Sequence, residues 1–421
     1  MTHFTWRKAA AVAIAAVAVL ALGSARAEKP SQHWYASWTA SPFNGATLPP
    51  MLFAPSVEAV ADQTIRQTIT ISRGGSELRV RFSNEYGKEP LHIAAASVGY
   101  STAGHVVRVP LTFSGANGFT ALAGAPIVSD PVALALPNGA TLDISAYLPD
   151  RTPISTIHLL GLQKSQLSGP GNFVMADELP GATSFDMLEK MSGRHFQARF
   201  FLSEVDVAGP KPVKTVVAFG DSITDGMGST PDTDRRWPDY LARRIAKAKI
   251  SAAVVNQGIG GNQVLANGLG DSALSRFDRD VLALPGVSTV ILMEGINDIG
   301  FSGNMIPGMS RKDVIPAEEI IQGYRQLLAR AHAKGVKVIG ATMTPFEGSP
   351  AYKAEKEAVR AAVNVWIRSS GAFDAIADFD AATRDPANPL RLRSEFNGGD
   401  GIHLSDAGYE AMAATIDLKK L

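Results

Sequence analysis

Phe219-Gly220-Asp221-Ser222-Ile223-Thr224-Asp225-Gly226 is the stretch on which the reading of this chain turns. It follows an apolar run, Thr215 to Ala218, that reads as a buried parallel strand. It precedes a polar loop and a helical segment from about Pro238. A serine in that place sits at the carboxyl end of a strand, where open α/β sheets bind their ligands. A Gly-Asp-Ser turn is also an ordinary turn. Chemistry there needs a base, an orienting acid and oxyanion donors from elsewhere in the chain.

Downstream, continuous apolar strands alternate with helical stretches. Strands are expected at Thr215–Phe219, Ala253–Asn256, Thr289–Met293, Val336–Ala341 and Ala375–Ala377, and helices near Trp237–Ala248, Ala317–Lys334, Tyr352–Ser369 and Asp406–Ile416. This alternation predicts a parallel sheet covered on both faces, a three-layer α/β fold. Upstream, Gly209-Pro210-Lys211-Pro212 reads as a stiff linker. Before it, from His33 to about Val207, the chain is β-rich. Thr64–Ile71 and Glu77–Phe82 alternate apolar and polar residues around Arg73-Gly74-Gly75-Ser76 and read as a hairpin. Further strands are expected at Leu91–Val98, Val106–Phe113, Thr141–Tyr147, Ser155–Gln163 and His195–Val207. Short strands at this spacing suggest a sandwich or jelly-roll-like module. Trp34 and Trp38 are spaced for a sugar platform, although core packing also explains them.

The first 27 residues do not read as fold. Arg7-Lys8 precedes an apolar run from Ala9 to Leu22, and Ala25-Arg26-Ala27 fits an A-x-A cleavage site. The run suits the core of an export signal and is short for a membrane span. The expected organisation is therefore a signal peptide over 1–27, a β-rich accessory domain over 28–208 and an α/β domain over 209–421, with a periplasmic or secreted product.

The 421 residues contain no cysteine, which excludes disulfides, cysteine-zinc sites, a cysteine nucleophile and a lipobox. Formal net charge is zero, so no electrostatic footprint for nucleic acid or anionic membrane is expected. No His/Asp/Glu spacing calls for a metal and no phosphate loop is present. No cofactor is expected.

Four places in the α/β half fall at or just past strand ends: Ser222; Asn256 to Asn262, with Gly258, Gly260 and Gly261; Glu294 to Asp298; and Asp400-Gly401-Ile402-His403. An aspartate three residues before a histidine can fold back onto the imidazole, fix its tautomer and leave Nε2 free as a base. Ester cleavage needs a nucleophile, a base, an orienter and donors for the oxyanion. Ser222, His403 and Asp400 can supply the first three. The Ser222 N–H, the Gly261 N–H and the Asn297 side-chain amide can supply the donors. Arg276, Asp278, Arg279 and Asp280 read as a solvated or ion-paired helix face. Glu294 is a candidate substrate contact. Asp221 and Thr224 are expected to hold the nucleophile turn, and Asp298 to brace its loop. The apolar Phe301–Met309 loop can serve as a pocket wall or a gate, and a plain surface loop fits it equally.

These residues resemble the four sequence blocks of the SGNH hydrolases, also called GDSL esterases and lipases. Gly220-Asp221-Ser222-Ile223 is similar to the nucleophile block, with Ile in place of the usual Leu. Asn256 to Gly261 resembles the block whose glycine amide lines the oxyanion hole, a role that falls on Gly261, with Gly260 as the alternative. Gly295-Ile296-Asn297-Asp298 resembles the third block, with Asn297 as donor, and Asp400-x-x-His403 the last. The resemblance covers most of 213–421 and implies a flavodoxin-like fold with a five-stranded parallel sheet, acting as the catalytic domain. The whole arrangement is similar to two-domain bacterial SGNH esterases of the xylanase-associated acetylesterase kind. That implies removal of short acyl groups, often acetyl, from sugars, with a small acyl ester or acylated glycan as partner. A lipid or aryl-ester hydrolase and a sugar O-acyltransferase would use the same triad. A non-catalytic glycan-binding protein would not need it.

Overall fold

The structure, a computed structural model, describes residues 32–50, 53–102, 105–190, 193–303, 311 and 313–421. The expected leader at 1–27 and most of the Phe301–Met309 loop lie outside the described residues. Residues 32–421 form one compact unit.

The β-rich half places its strands in two main antiparallel sheets. The strands that carry the argument are β1 (His33–Thr39), β2 (Gln63–Thr70), β3 (Glu77–Ser83), β4 (Ala95–Thr102), β5 (His105–Leu111), β6 (Thr141–Leu148), β7 (Thr156–His158), β8 (Ser165–Pro170) and β9 (Leu202–Gly209). One sheet runs β1-β9-β3, with short strands added at Pro126–Val128 and Val132–Ala133. The other runs β8-β2-β6-β4-β5, with Thr183–Ser184 beyond β8. Ile65, Ile69, Leu142 and Ile144 of one sheet and Leu78, Val80, Phe82, Val205 and Val207 of the other share a single core.

The expected hairpin is not formed. β2 pairs with β6 and β8, whereas β3 pairs with β9. At the turn the chain leaves one sheet for the other: Ile71 N–H donates to Ala140 O, Ser72 N–H to Ser37 O and Ser76 N–H to Ala208 O. Alternation sets which face of a strand is buried, not which neighbour it pairs with. An arch that turns two apolar faces toward each other satisfies the same pattern. For the same reason Leu91–Val98 divides into Leu91–Ile93 and β4, which lie in different sheets. His195–Val207 divides into Arg194–Phe196, Arg199–Phe200 and β9, and Ser155–Gln163 shortens to β7. Trp38 is buried in the core, and Trp34 lies under the Arg79 guanidinium at 4.6 Å, so the pair is not an open platform.

The α/β half follows the expected order. Its elements are β10 (Lys214–Gly220), α1 (Ser222–Asp225), α2 (Trp237–Lys247), β11 (Ala252–Gly258), α3 (Ala273–Phe277), β12 (Val287–Met293), α4 (Ile296–Phe301), α5 (Ala317–Ala333), β13 (Lys337–Ala341), α6 (Ala354–Ser369), β14 (Ala375–Ala377), α7 (Phe379–Thr383) and α8 (Asp406–Ala414). The five strands are all parallel in the order β11-β10-β12-β13-β14. Counted from β10 this is 2-1-3-4-5, an order shared with flavodoxin-like sheets. Successive strand residues point to opposite faces. Val217, Phe219, Val290 and Leu292 pack with Tyr324, Leu327 and Val363 of α5 and α6 on one side. Val216, Ala218, Ile291 and Met293 pack with Trp237, Leu241, Tyr409 and Met412 of α2 and α8 on the other.

The β-rich half covers the free edge of β11. Val254 N–H donates to Ser72 Oγ, and Thr39 Oγ1–H donates to Asn256 O at 2.8 Å. Ala36 of β1 belongs to a core of the α/β half, and Ala253 and Ile259 belong to the core of the β-rich half.

Candidate active site

The turn that carries Ser222 is built by local chemistry. β10 ends at Gly220, where a Cβ would lie 2.3 Å from both Met293 O and Thr224 Oγ1, so a side chain is excluded. Asp221 caps the short α1, its Oδ1 accepting the Ile223 N–H at 2.9 Å. Gly226, with φ of 108°, ends the helix after one turn. Ser222 is therefore the first helical residue, at the carboxyl edge of the sheet.

The last block meets it there. Ser222 Oγ lies 2.8 Å from His403 Nε2, and His403 Nδ1 lies 2.6 Å from Asp400 Oδ2. A carboxylate only accepts, so the Nδ1–H donates to Asp400, which leaves the Nε2 lone pair to the serine hydroxyl. Asp400 Oδ1 accepts the N–H groups of His403 and Ile402 at 2.9 and 3.1 Å. Partial burial works against its charge, but the hydrogen bonds from His403 and Ile402 hold this carboxyl well below the usual carboxylate range.

The two middle blocks are tied to each other. Asn297, on α4, donates its Nδ2–H to Asn262 O at 2.9 Å, one residue beyond Gly261. Asp298 accepts the Val264 and Leu265 N–H groups at 2.7 and 3.1 Å, the brace expected of it. Burial pushes the Asp298 carboxyl up to about 6 in spite of those bonds. Gly261 adopts φ of 78°. Its N–H donates to none of the described residues, whereas the Gly260 N–H is committed to Asp225 Oδ2 at 3.1 Å.

Glu294 differs from expectation, and Arg276 meets only the ion-paired part of it. Arg276 is buried rather than solvated, and Glu294 is fully buried and so is no substrate contact. The Arg276 guanidinium lies 4.1 Å over the Phe219 ring and donates to Gly220 O at 3.0 Å, Gln257 O at 2.7 Å and Asn262 Oδ1 at 2.9 Å. It pairs with Asp280 at 3.1 Å and Glu294 at 3.3 Å. One cation thus gathers the carboxyl ends of β10 and β11 and the glycine loop. All four members of the cluster are ion-paired, one of the two expected readings: Arg276 and Arg279 pair with Asp280, and Asp278 pairs with Arg330. Burial and the neighbouring Asp221 carboxylate push the Glu294 carboxyl well above its ordinary value, with Arg276 opposing. Asp221 is pushed up to about 7, chiefly by burial.

An imidazole that can take a proton from a serine, with its other nitrogen fixed by an ionised carboxylate, can activate that serine toward a carbonyl. Free backbone N–H groups and an amide nearby can receive the charge that develops. On a parallel sheet covered by helices, such an arrangement suits acyl transfer to water. Residues 218–411 match the GDSL-like Lipase/Acylhydrolase family, a span that includes Ser222, Gly261, Asn297, Asp400 and His403. This match supports a GDSL-like lipase/acylhydrolase domain in the C-terminal half of the chain, and the protein is a carboxylic ester hydrolase. No curated protein matches the chain. Solved structures similar to it include the lipase/acylhydrolase from Enterococcus faecalis, at 22% identity over 48% of this chain and 93% of that chain with a TM-score of 0.38. A GDSL-like lipase from Bacteroides thetaiotaomicron is 17% identical over 49% and 87%, with a TM-score of 0.35. The acetyl xylan esterase AlAXEase is 18% identical over 48% and 96%, with a TM-score of 0.36.

Proposed function

We propose that the protein is an exported serine esterase that removes short acyl groups, chiefly acetyl, from carbohydrates through a Ser222-His403-Asp400 triad. The observation that carries the mechanism is the continuous chain from Ser222 Oγ to His403 Nε2 and from His403 Nδ1 to Asp400 Oδ2. His403 takes the hydroxyl proton as Ser222 attacks the ester carbon. The oxyanion rests on the Ser222 N–H, the Gly261 N–H and the Asn297 amide. Collapse expels the alcohol, which takes the proton back from His403. Water then attacks the acyl-enzyme with the same base. The engagement of the Gly260 N–H by Asp225 favours Gly261 over Gly260 as donor.

The short-acyl and carbohydrate part rests on the resemblance of the whole arrangement to two-domain SGNH esterases, and export rests on the leader-like residues 1–27. Acetate release over a panel of acetylated polysaccharides, beside a chain-length series of p-nitrophenyl esters, tests the substrate. Preference for long acyl chains removes the short-acyl reading. Acyl transfer to an added sugar alcohol in place of hydrolysis makes the protein a transferase. The mass of the mature protein from its native host tests cleavage near Ala27.

A further inference from the structure

His158, the last residue of β7, is buried where the β-rich half meets the nucleophile turn. Its Nε2 lies 3.0 Å from Asp225 Oδ1, and its Nδ1 lies 3.1 Å from the carbonyl oxygen of Ser41. Carboxylate and carbonyl oxygens only accept, so both bonds are donated together when both ring nitrogens carry a proton. Asp225 is the last residue of α1, the helix that Ser222 begins. Its second oxygen accepts the Gly260 N–H at 3.1 Å. The carboxylate is therefore clasped between the β-rich half on one side and the oxyanion loop on the other.

The loop needs such a clasp. Gly260 and Gly261 have no side chains to restrict their backbone, and Gly261 sits in the left-handed region. The direction of the Gly261 N–H depends on what holds the peptide before it. Asn297 and Arg276 hold the far side through Asn262, and Asp225 holds the near side. Ser41 is itself seated on this block, its hydroxyl meeting the Gln257 side chain and accepting from Arg276 at 3.2 Å.

We propose that His158 is a positioning residue for the Gly261 oxyanion donor, acting through Asp225 and Gly260. The β-rich half is then a working part of the esterase centre. This rests on reading Ser222 as nucleophile and Gly261 as donor. An oxyanion donor works only where charge develops, so its displacement lowers turnover and leaves ground-state binding alone.

The test is steady-state hydrolysis of p-nitrophenyl acetate by the full chain, with Ser222 counted by fluorophosphonate labelling. The His158→Leu variant fills the volume and donates nothing. Its kcat is expected to fall about 10- to 100-fold with KM within about twofold of wild type. Asp225→Ala reads the same clasp from the other end, and serves also where His158→Leu does not fold. In the double variant, the loss is expected to equal that of Asp225→Ala alone, because His158 acts through that carboxylate. An unchanged kcat, a raised KM at unchanged kcat, or losses that multiply in the double variant overturns the proposal. Ser222→Ala separates the two readings. Turnover retained there removes the nucleophile assignment, whereas an inactive Ser222→Ala beside a fully active His158→Leu removes only the role of His158.

Discussion

Asp221 caps the helix that Ser222 begins, yet its second oxygen has no partner among the described residues. Burial, aided by the Asp298 charge, pushes its carboxyl up to about 7, against the Ile223 N–H, His403 and Arg276. The folded chain thus holds this proton more tightly than the unfolded one. The stability linked to it is present below the ordinary carboxylate range and is lost as pH rises through about 7. Asp221→Asn keeps an acceptor for the Ile223 N–H and removes the titration. Its melting temperature is expected to gain on wild type between pH 5 and pH 8, both roughly chosen to bracket the transition; parallel curves contradict this. The proposed oxyanion donors predict differently. Asn297→Ala is expected to lower kcat on p-nitrophenyl acetate by about 10²- to 10³-fold with little change in KM. Asp400→Asn is expected to cost about 10²- to 10⁴-fold, because the amide no longer fixes the His403 tautomer. A full-rate Asp400→Asn variant would mean that the backbone bonds alone position the imidazole.

The elements that carry the site converge at one edge because their strands are parallel and in the order 2-1-3-4-5. Arg276 then cross-links what the sheet brings together, from the turn after β10 to the glycine loop after β11. Removing it leaves the Glu294 carboxyl buried without its cation and takes one donor each from the Gly220 and Gln257 carbonyls. Arg276→Leu is expected to destabilise the protein by about 3 kcal/mol or more, measured by chemical denaturation. Adding Glu294→Gln is expected to return part of that loss, since the uncompensated acid is then gone. An additive double variant would show that the two side chains do not act on each other. Neither role was visible in the spacing of Arg276, Asp278, Arg279 and Asp280, because charge alternation on a helix looks the same whether the helix faces water or a sheet edge.

The two halves depend on each other physically. β11 is an edge strand of the parallel sheet, and an uncovered edge is a template for association. Here Ser72 and Thr39 bond to it, and Ala36 fills a core of the α/β half. Residues 213–421 expressed alone are expected to aggregate or to run as high-order species on gel filtration. A soluble, active monomer of that segment would show that the β-rich half is dispensable to fold and site alike.

How much of this was legible in the chain depends on the range of the interaction concerned. The parallel strands and their helices follow from local periodicity, so their bounds agree with expectation to within a few residues. Ser222, Asp400, His403 and Asn297 could be picked out only together, because a polar turn residue has ordinary structural reasons by itself and it is the shared sheet edge that sets the four apart. The arch between β2 and β3, the burial of Arg276 and the meeting of His158 with Asp225 could not be. Alternation specifies an inward face but no partner, and the worth of a buried charge or ring lies in acceptors contributed from distant parts of the chain. Sequence alone therefore determined the α/β order and the chemical groups at its edge. Only the tertiary structure decided which sheet each β-rich strand joins and which side chains hold the glycine loop after β11, because those outcomes depend on contacts between residues far apart in the chain.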